Sequence, residues 1–576
     1  MNQKLENILN VSLDATEDEL RKADSLSTGY NWRDNTWEII VKYSGSLESI
    51  RNRYNVYIKE LLNYYAIIVA DKATIELISQ EDVIDYVEKP KSLYYQIERT
   101  KTAACVGSVR ADGNILSGKG VIVGVIDTGI DIFDNAFRNS DGTTRILNIY
   151  DQTTGEKYDK QSIDEYIRLN EDLSGGTFSY DNAPGVDNIM HGTDVSYIAA
   201  GSLGVAYEAD IIAVKMGYSI NNQFPRTTSL MDAIDYIIRK AIEYRKPVAV
   251  NISYGCNYGA HNGNTLLESF IDDISKSYRC VICVGSGNEA DKAIHFGGII
   301  NTGQVQTAYL SVGEYQSAID IQIWKNYWDT IDVMLINPRG EQIGIITEGR
   351  INRYETYNTE IITLLGEPSP YNIYQEIYIN LIPKTDYILS GIWQIVLMAG
   401  SIRAGEYNIW LPSSQALGYA TAFNNPTADG TITIPATARN CIAVGAYNAY
   451  TNSYAAFSGR GFDNSIRNVN AGVKPDITAP GVDISIARQR GNDITYRNVT
   501  GTSYAVPVVT GAAALLMQWG IVMGNDRFMY GEKLKAALID GSKPVGLVGI
   551  TRNDNQPDPR TGWGAVCLKN LSLIHI

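Results

Sequence analysis

At 576 residues the chain is several times the size of one ordinary domain, so more than one packed unit is expected. Apolar residues make up 44% and charged residues 20%, which excludes a collagen-like, coiled-coil or wholly disordered chain. Lys plus Arg number 49 against 64 Asp plus Glu, a net charge of -15, and no basic cluster offers a nucleic-acid face.

Residues 1–96 read as a small α/β unit. The first residues, MNQKLENILNVSLDATEDEL, lack the basic start, apolar stretch and small-residue cleavage site of a secretory signal, so synthesis for the cytoplasm is expected. Residues 37–43 (WEIIVKY) read as a strand, 46–62 as a helix with Leu47, Ile50, Tyr54, Ile58 and Leu61 at helical spacing, and 64–69 (YYAIIV) as a second strand. A short helix over 72–80 and a strand over 83–87 complete a β-α-β-α-β order, with room for one strand more. That order suits a small sheet with helices on one face.

A different pattern covers residues 97–300. The run 121–126 (VIVGVI) has the continuous apolar character of a strand buried on both faces, as do 211–214, 248–252 and 280–284. Helix-like segments such as 229–244 lie between them, which predicts a parallel sheet covered on both sides. The polar stretch 151–188 reads as a surface loop. From 301 to 424 alternating strands predominate, at 319–324, 331–336, 374–381, 392–398 and 407–411, with Asn337-Pro338-Arg339-Gly340 as a turn. These predict an inserted all-β sandwich. The α/β pattern resumes over 425–576, with a strand at 441–444. Residues 505–523 are apolar enough to suggest a membrane span, but Pro507, Thr510, Gly511, Gln518 and Gly520 favour a helix buried in the protein.

Three short motifs carry chemistry. Asp127-Thr128-Gly129 follows the strand VIVGVI, at the end of a sheet where open α/β folds place their sites. His191-Gly192-Thr193 opens a helix-like run, and Gly501-Thr502-Ser503 leads into the apolar helix. Taken singly they have plainer readings: a structural aspartate, an ordinary polar histidine and a helix N-cap. Together they offer a nucleophile, a base to take its proton, and a carboxylate to orient the base. The chain order Asp, His, Ser is one of the three orders known for such triads. The only other histidines, His261, His295 and His575, have no acid nearby in sequence. Six cysteines form no disulfide framework, and the C-x-x-C at Cys280 and Cys283 falls on a strand, where a metal or redox role is not expected.

The motifs resemble those of the subtilisin-like serine proteases (subtilases, peptidase family S8) over most of 101–300 and 425–576. The resemblance implies a triad of Asp127, His191 and Ser503. It implies an oxyanion hole built from Asn288 in Gly285-Ser286-Gly287-Asn288 and the Ser503 backbone N–H. Ser253, Tyr254 and Gly255 resemble the substrate-binding strand, and Gly285, Ser286 and Gly287 the facing wall of its pocket. Asp194 stands where the family commonly has a second histidine, Tyr504 where it has methionine, and Val506 where it has alanine. The separation of Asp127 from His191, 64 residues, and that of His191 from Ser503, 312 residues, leave room for the insertion and longer loops.

By the same resemblance residues 1–96 would be a ferredoxin-like propeptide that occupies the cleft, with a self-cut near Tyr95, Gln96 and Ile97. A propeptide together with a jelly-roll insertion most resembles the Csp proteases of clostridial spore germination. In that group the propeptide can remain bound after cleavage, and the enzyme activates the zymogen of a spore-cortex hydrolase by limited proteolysis. The expected partners are therefore the chain's own propeptide and a protein substrate, with packaging in the spore and no nucleic acid or membrane span. No cofactor is expected and no residues are assigned to a metal; calcium binding is not decided by the sequence, because no compact oxygen-ligand loop is evident. The alternatives are a Csp-like pseudoprotease acting as a germinant sensor or relay, and a subtilase with another target. Retention of all three triad residues favours an enzyme.

Overall fold

Four large sheets organise the described residues. The structure is a computed structural model that describes residues 2–95, 116–171, 182–217, 224–344, 346, 349–462, 473–490, 493–546 and 557–567. The N-terminal sheet is antiparallel: Thr36–Tyr43 pairs with Tyr65–Ala70 and Ile84–Glu88, and Tyr57–Leu61 lies outside Tyr65–Ala70. The helix expected over 46–62 is shorter. It runs over Glu48–Tyr54 and stops at Asn55, whose φ of 49° is left-handed, and the following residues form the strand Tyr57–Leu61. Helical spacing at Ile58 and Leu61 was therefore coincidental, and the backbone pairing with Tyr65–Ala70 prevails. Three helices, Asn7–Asp14, Glu17–Lys22 and Asp24–Ser27, precede the sheet. The second starts with a capping box between Thr16 and Glu19, a T-x-x-E signature present in the sequence.

Period-2 alternation places the two faces of this sheet in different cores. Ile39, Val41 and Ile68 pack with the N-terminal helices and with Ile362, Leu364, Tyr378 and Ile382 of the later β-rich region. Ile40, Tyr65 and Ile67 pack instead against the helices Thr227–Tyr244 and Leu266–Ser277. Both faces are covered.

Among the described residues the central sheet has nine strands. In order across it lie Ser453–Tyr454, Ile442–Asn448, Cys280–Gly285, Val248–Ile252, Ile122–Asp127, Asp210–Lys215, Ile146–Asp151 and Glu156–Asp159, with Ile477–Pro480 also on Ile442–Asn448. The inner strands are parallel, and Ile122–Asp127, Val248–Ile252 and Cys280–Gly285 are wholly buried, as their unbroken apolar runs require. Helices His191–Ala200, Thr502–Met517 and Gly531–Asp540 pack on one face, and Thr227–Tyr244 and Leu266–Ser277 on the other. Residues 502–522 are long and apolar enough to cross a membrane, yet 83% of their apolar window is buried in the fold, which favours the core-helix reading. The stretch 151–188 is only partly loop. Glu156–Asp159 pairs with Ile146–Asp151, and Lys160–Glu171 is a helix whose Ile163 and Ile167 enter the core. The periodicity of those two isoleucines outweighs the polar composition.

The β-rich region is a sandwich of two antiparallel sheets. One contains His295–Ile299, Glu406–Trp410, Ile319–Asn326, Tyr374–Pro383, Thr359–Leu365 and Ile351–Glu355. The other contains Gln342–Ile343, Ile331–Ile336, Gly391–Ala399, Val305–Val312 and Ala422–Phe423. Their inner faces meet in one core that includes Ile321, Leu335, Ile379, Trp393 and Leu397. The first strand, His295–Ile299, comes before residue 301. The turn at 337–340 joins Ile331–Ile336 to Gln342–Ile343, with Gly340 at a φ of 82°. His261 and His295 stack on Trp410, with ring centroids 4.1 and 4.9 Å away: His295 packs within its own sheet of the sandwich, and His261 packs a loop that follows Tyr254–Gly255 onto it.

Candidate active site

Asp127 is the last residue of its strand, and its Oδ1 accepts the Thr128 N–H at 2.8 Å. The same oxygen lies 2.6 Å from Nδ1 of His191, the first residue of its helix. Both side chains are 1% exposed. Gly192 makes this approach possible: a Cβ there would stand 2.9 Å from the Asp127 Cβ and nearer still to the Gly129 carbonyl. Asp187, which the sequence did not mark, fastens the turn. It accepts from the Thr128 hydroxyl at 2.7 Å, the Met190 N–H at 2.7 Å, and the Thr193 N–H and hydroxyl at 2.8 and 2.7 Å. Nothing local in the sequence distinguishes it from the other acids nearby.

Burial is the largest influence on the His191 imidazole and opposes its charge. The Asp127 carboxylate, with Asp187 and Asp194, overcomes it, so the imidazole titrates above its ordinary value. A carboxylate bound to Nδ1 leaves Nε2 as the proton-accepting nitrogen.

Ser503 is the second residue of the helix Thr502–Met517 and is wholly buried. Gly501 before it has a φ of 145°, open to glycine but not to other residues. This helix packs on the histidine helix: the ring of Tyr504 lies 5.2 Å from the His191 imidazole. Pro507 has no N–H for the carbonyl of Ser503, four residues back. That carbonyl accepts instead from the Ser253 hydroxyl at 3.4 Å, which in turn accepts from Asn251 Nδ2 at 3.0 Å.

Asn288 follows the strand Cys280–Gly285 and reaches the same helix start. Its Oδ1 accepts the Thr502 N–H and hydroxyl, both at 3.1 Å. Because the backbone N–H can only donate, the amide oxygen must face Thr502, which turns Nδ2 the other way. Nδ2 is buried and donates to no acceptor among the described residues. Such a donor costs about 1–3 kcal/mol, an expense expected where an acceptor arrives with a ligand.

The remaining expected positions divide. Tyr254 and Gly255 pair antiparallel with Tyr95 and Tyr94, so the end of the N-terminal unit lies as a strand along the expected substrate strand. Residues 91–93 are tied nearby through the Lys91 carbonyl to the Thr227 N–H at 2.7 Å and the Leu93 N–H to the Pro225 carbonyl at 2.6 Å. Gln96 and Ile97 lie outside the described residues. Gly285 ends its strand. The Ser286 hydroxyl turns toward that of Ser458 at 3.3 Å, and Gly287, at a φ of 93°, accepts from the Gly459 N–H. Burial pushes the Cys280 and Cys283 thiols up to about 12, which keeps them protonated.

Comparison with known proteins agrees with this geometry. A family model described as the Csp protease B prodomain matches residues 3–91, and one described as the subtilase family matches 118–368 and 404–564. Among solved structures, that of the Clostridium perfringens CspB protease is 34% identical with a TM-score of 0.73, covering 81% of this chain and 95% of that one. The subtilase-type proteinase RRT12 of Saccharomyces cerevisiae is 33% identical over 128 residues, 22% of this chain and 23% of that protein. The subtilisin-like protease 10 of Arthroderma otae is 34% identical over 120 residues, 21% and 27% of the two chains. The chain thus matches about a quarter of the length of these two curated relatives.

Proposed function

This chain belongs to the subtilase family, and from that premise we propose that it is a serine endopeptidase that cuts off its own N-terminal propeptide and activates a spore-cortex hydrolase zymogen by limited proteolysis during germination. The observation that carries the reading is the buried contact of 2.6 Å between Asp127 and His191, at the foot of the helix that bears Ser503. Ser503 attacks the peptide carbonyl while His191 takes its proton. Asp127 holds the imidazole and stabilises its cation. Asn288 Nδ2 and the Ser503 N–H receive the oxyanion. His191 then protonates the leaving amine, and water releases the acyl group. The pairing of residues 94–95 with 254–255 supports self-cleavage close to Tyr95. The germination role rests on likeness to the Csp group, as does packaging in the spore.

Two measurements test this. Intact mass and N-terminal sequencing should find the wild-type chain cut near Tyr95, and Ser503→Ala uncut at full length. Incubation with a purified cortex-hydrolase zymogen should release a shortened, active hydrolase. A Ser503→Ala chain processed like wild type would refute self-cleavage. An unaltered zymogen, with self-cleavage intact, would leave a subtilase with another target.

A further inference from the structure

Two departures from the family pattern, Asp194 and Tyr504, lie on one network. Asp194 follows His191 by one helical turn and is wholly buried. Its carboxylate meets two guanidiniums, both from the hairpin of Ile484–Arg490 and Asp493–Val499. Arg488 donates from Nε to Oδ1 at 2.9 Å and again from Nη2. That Nη2 also donates to the Met190 carbonyl at 2.7 Å. Met190 stands directly before His191 with a φ of 66°, a left-handed conformation that a side-chain-bearing residue keeps only when its surroundings hold it there. Arg497 Nε lies 2.9 Å from Asp194 Oδ2, and the same guanidinium interacts with the Tyr504 phenol, favouring its charged form. Tyr504 packs its ring on His191. The hairpin itself continues through Thr500 and Gly501 into Ser503.

The contacts close a ring: from His191 along its helix to Asp194, across to the arginines, down the hairpin to Ser503, and back through Tyr504. Each departure needs the other parts. A histidine at 194 would not pair with two guanidiniums, and a methionine at 504 would give Arg497 no oxygen. A buried carboxylate between two cations is costly to break from either side, which makes the ring rigid.

We propose that Asp194, Arg488, Arg497 and Tyr504 form a clamp of positioning residues that fixes the His191 imidazole relative to Ser503. The clamp presupposes the triad reading above. The charged and titratable groups facing His191 are Asp127 from its strand, Asp187 from the preceding loop and Asp194 from its own helix. The clamp adds Arg488, Arg497 and the Tyr504 phenol from the hairpin and the serine helix. Asp194→Asn leaves two unopposed cations near the imidazole, and Arg488→Gln removes one. The two variants should therefore move the imidazole in opposite directions, which a purely structural role would not do.

The test is the rate of fluorophosphonate labelling of Ser503 against pH in the full chain as purified. For Asp194→Asn we expect an acid limb about half a unit lower and a plateau about 10-fold slower. For Arg488→Gln the limb should move up, and Arg488→Lys should recover most of the plateau. Tyr504→Phe, which keeps the ring and removes the hydroxyl, should slow labelling without moving the limb far, and it carries the test if Asp194→Asn fails to fold. Wild-type limbs and plateaus in the folded variants, with only lower melting temperatures, would overturn the clamp while the triad stands. A wild-type chain that takes no label, with its propeptide shown to be clear of the cleft, would overturn the triad reading and the clamp with it.

Discussion

Alanine at position 192 is the smallest change that should separate the base from its carboxylate. The added Cβ would lie 2.9 Å from the Asp127 Cβ and 3.1 Å from the Gly129 nitrogen, and closer again to the Gly129 carbonyl oxygen. Ordinary contact between such atoms begins near 3.5 Å, so the helix start must retreat by about half an ångström to an ångström. The neighbours are backbone and a strand-end Cβ, which cannot swing aside as a flexible side chain would. His191 moves with the helix, and its 2.6 Å bond to Asp127 stretches to about 3.1–3.6 Å, from the outer edge of the hydrogen-bond range to beyond it. A displacement of this size costs about 10²-fold in rate, close to 3 kcal/mol of transition-state stabilisation. Overpacking should also cost about 1–3 kcal/mol of stability. Peptidase kcat/KM, the rate of self-cleavage and thermal melting would be compared between Gly192→Ala and wild type. A folded variant with wild-type kcat/KM would show that the Asp127–His191 contact does not govern the chemistry.

Asn288→Ala should lower turnover about 10²–10³-fold with little change in KM, because the lost donor meets charge that exists only in the transition state; an equal loss in binding a ground-state peptide would contradict that role. The acid limb of kcat/KM should fall above 6.5, since a raised His191 leaves less free base at a given pH, and Asp127→Asn should bring it down; a limb below 6.5 in wild type would refute the electrostatic reading. The same shift ties stability to the protonated imidazole, a contribution complete below 6.5 and lost as pH rises through the raised value. Glu376 lies buried between Asn7 and Gln322, and desolvation pushes its carboxyl up to about 8. It holds its proton in the fold between about 4.5 and 8, where the unfolded chain has released it, so its contribution declines as pH rises across that window. Glu376→Gln should flatten the fall in melting temperature from pH 5 to 8, and an unchanged slope would argue against a buried proton there.

The central sheet was legible because unbroken apolar runs such as VIVGVI admit few alternatives: four of the expected strands lie within a residue or two of their place, and the one at 441–444 starts a residue later and runs on to Asn448. The insertion was legible through alternation and the turn at 337–340. What escaped were elements whose signal is weak or shared. Tyr57–Leu61 carries residues at helical spacing, and its strand character comes from a neighbour, Tyr65–Ala70. The helix Lys160–Glu171 hides two core isoleucines in a polar run. At the site, motif residues could be named one by one, but Asp187, Arg488 and Arg497 could not. Their roles arise from contacts across long sequence separations, as between Arg488 and Asp194, 294 residues apart.

The N-terminal sheet has no free side. One surface shares a core with the sandwich, the other with two helices of the central domain, and among the described residues the two-residue strand Tyr94–Tyr95 lies along Tyr254–Gly255. Severing the chain beyond that strand would not loosen the rest, which would remain seated like a wedge between its two neighbours. If the proposed cut is made there, the packed sheet is expected to stay in place, and the two pieces should elute together on a sizing column under native conditions.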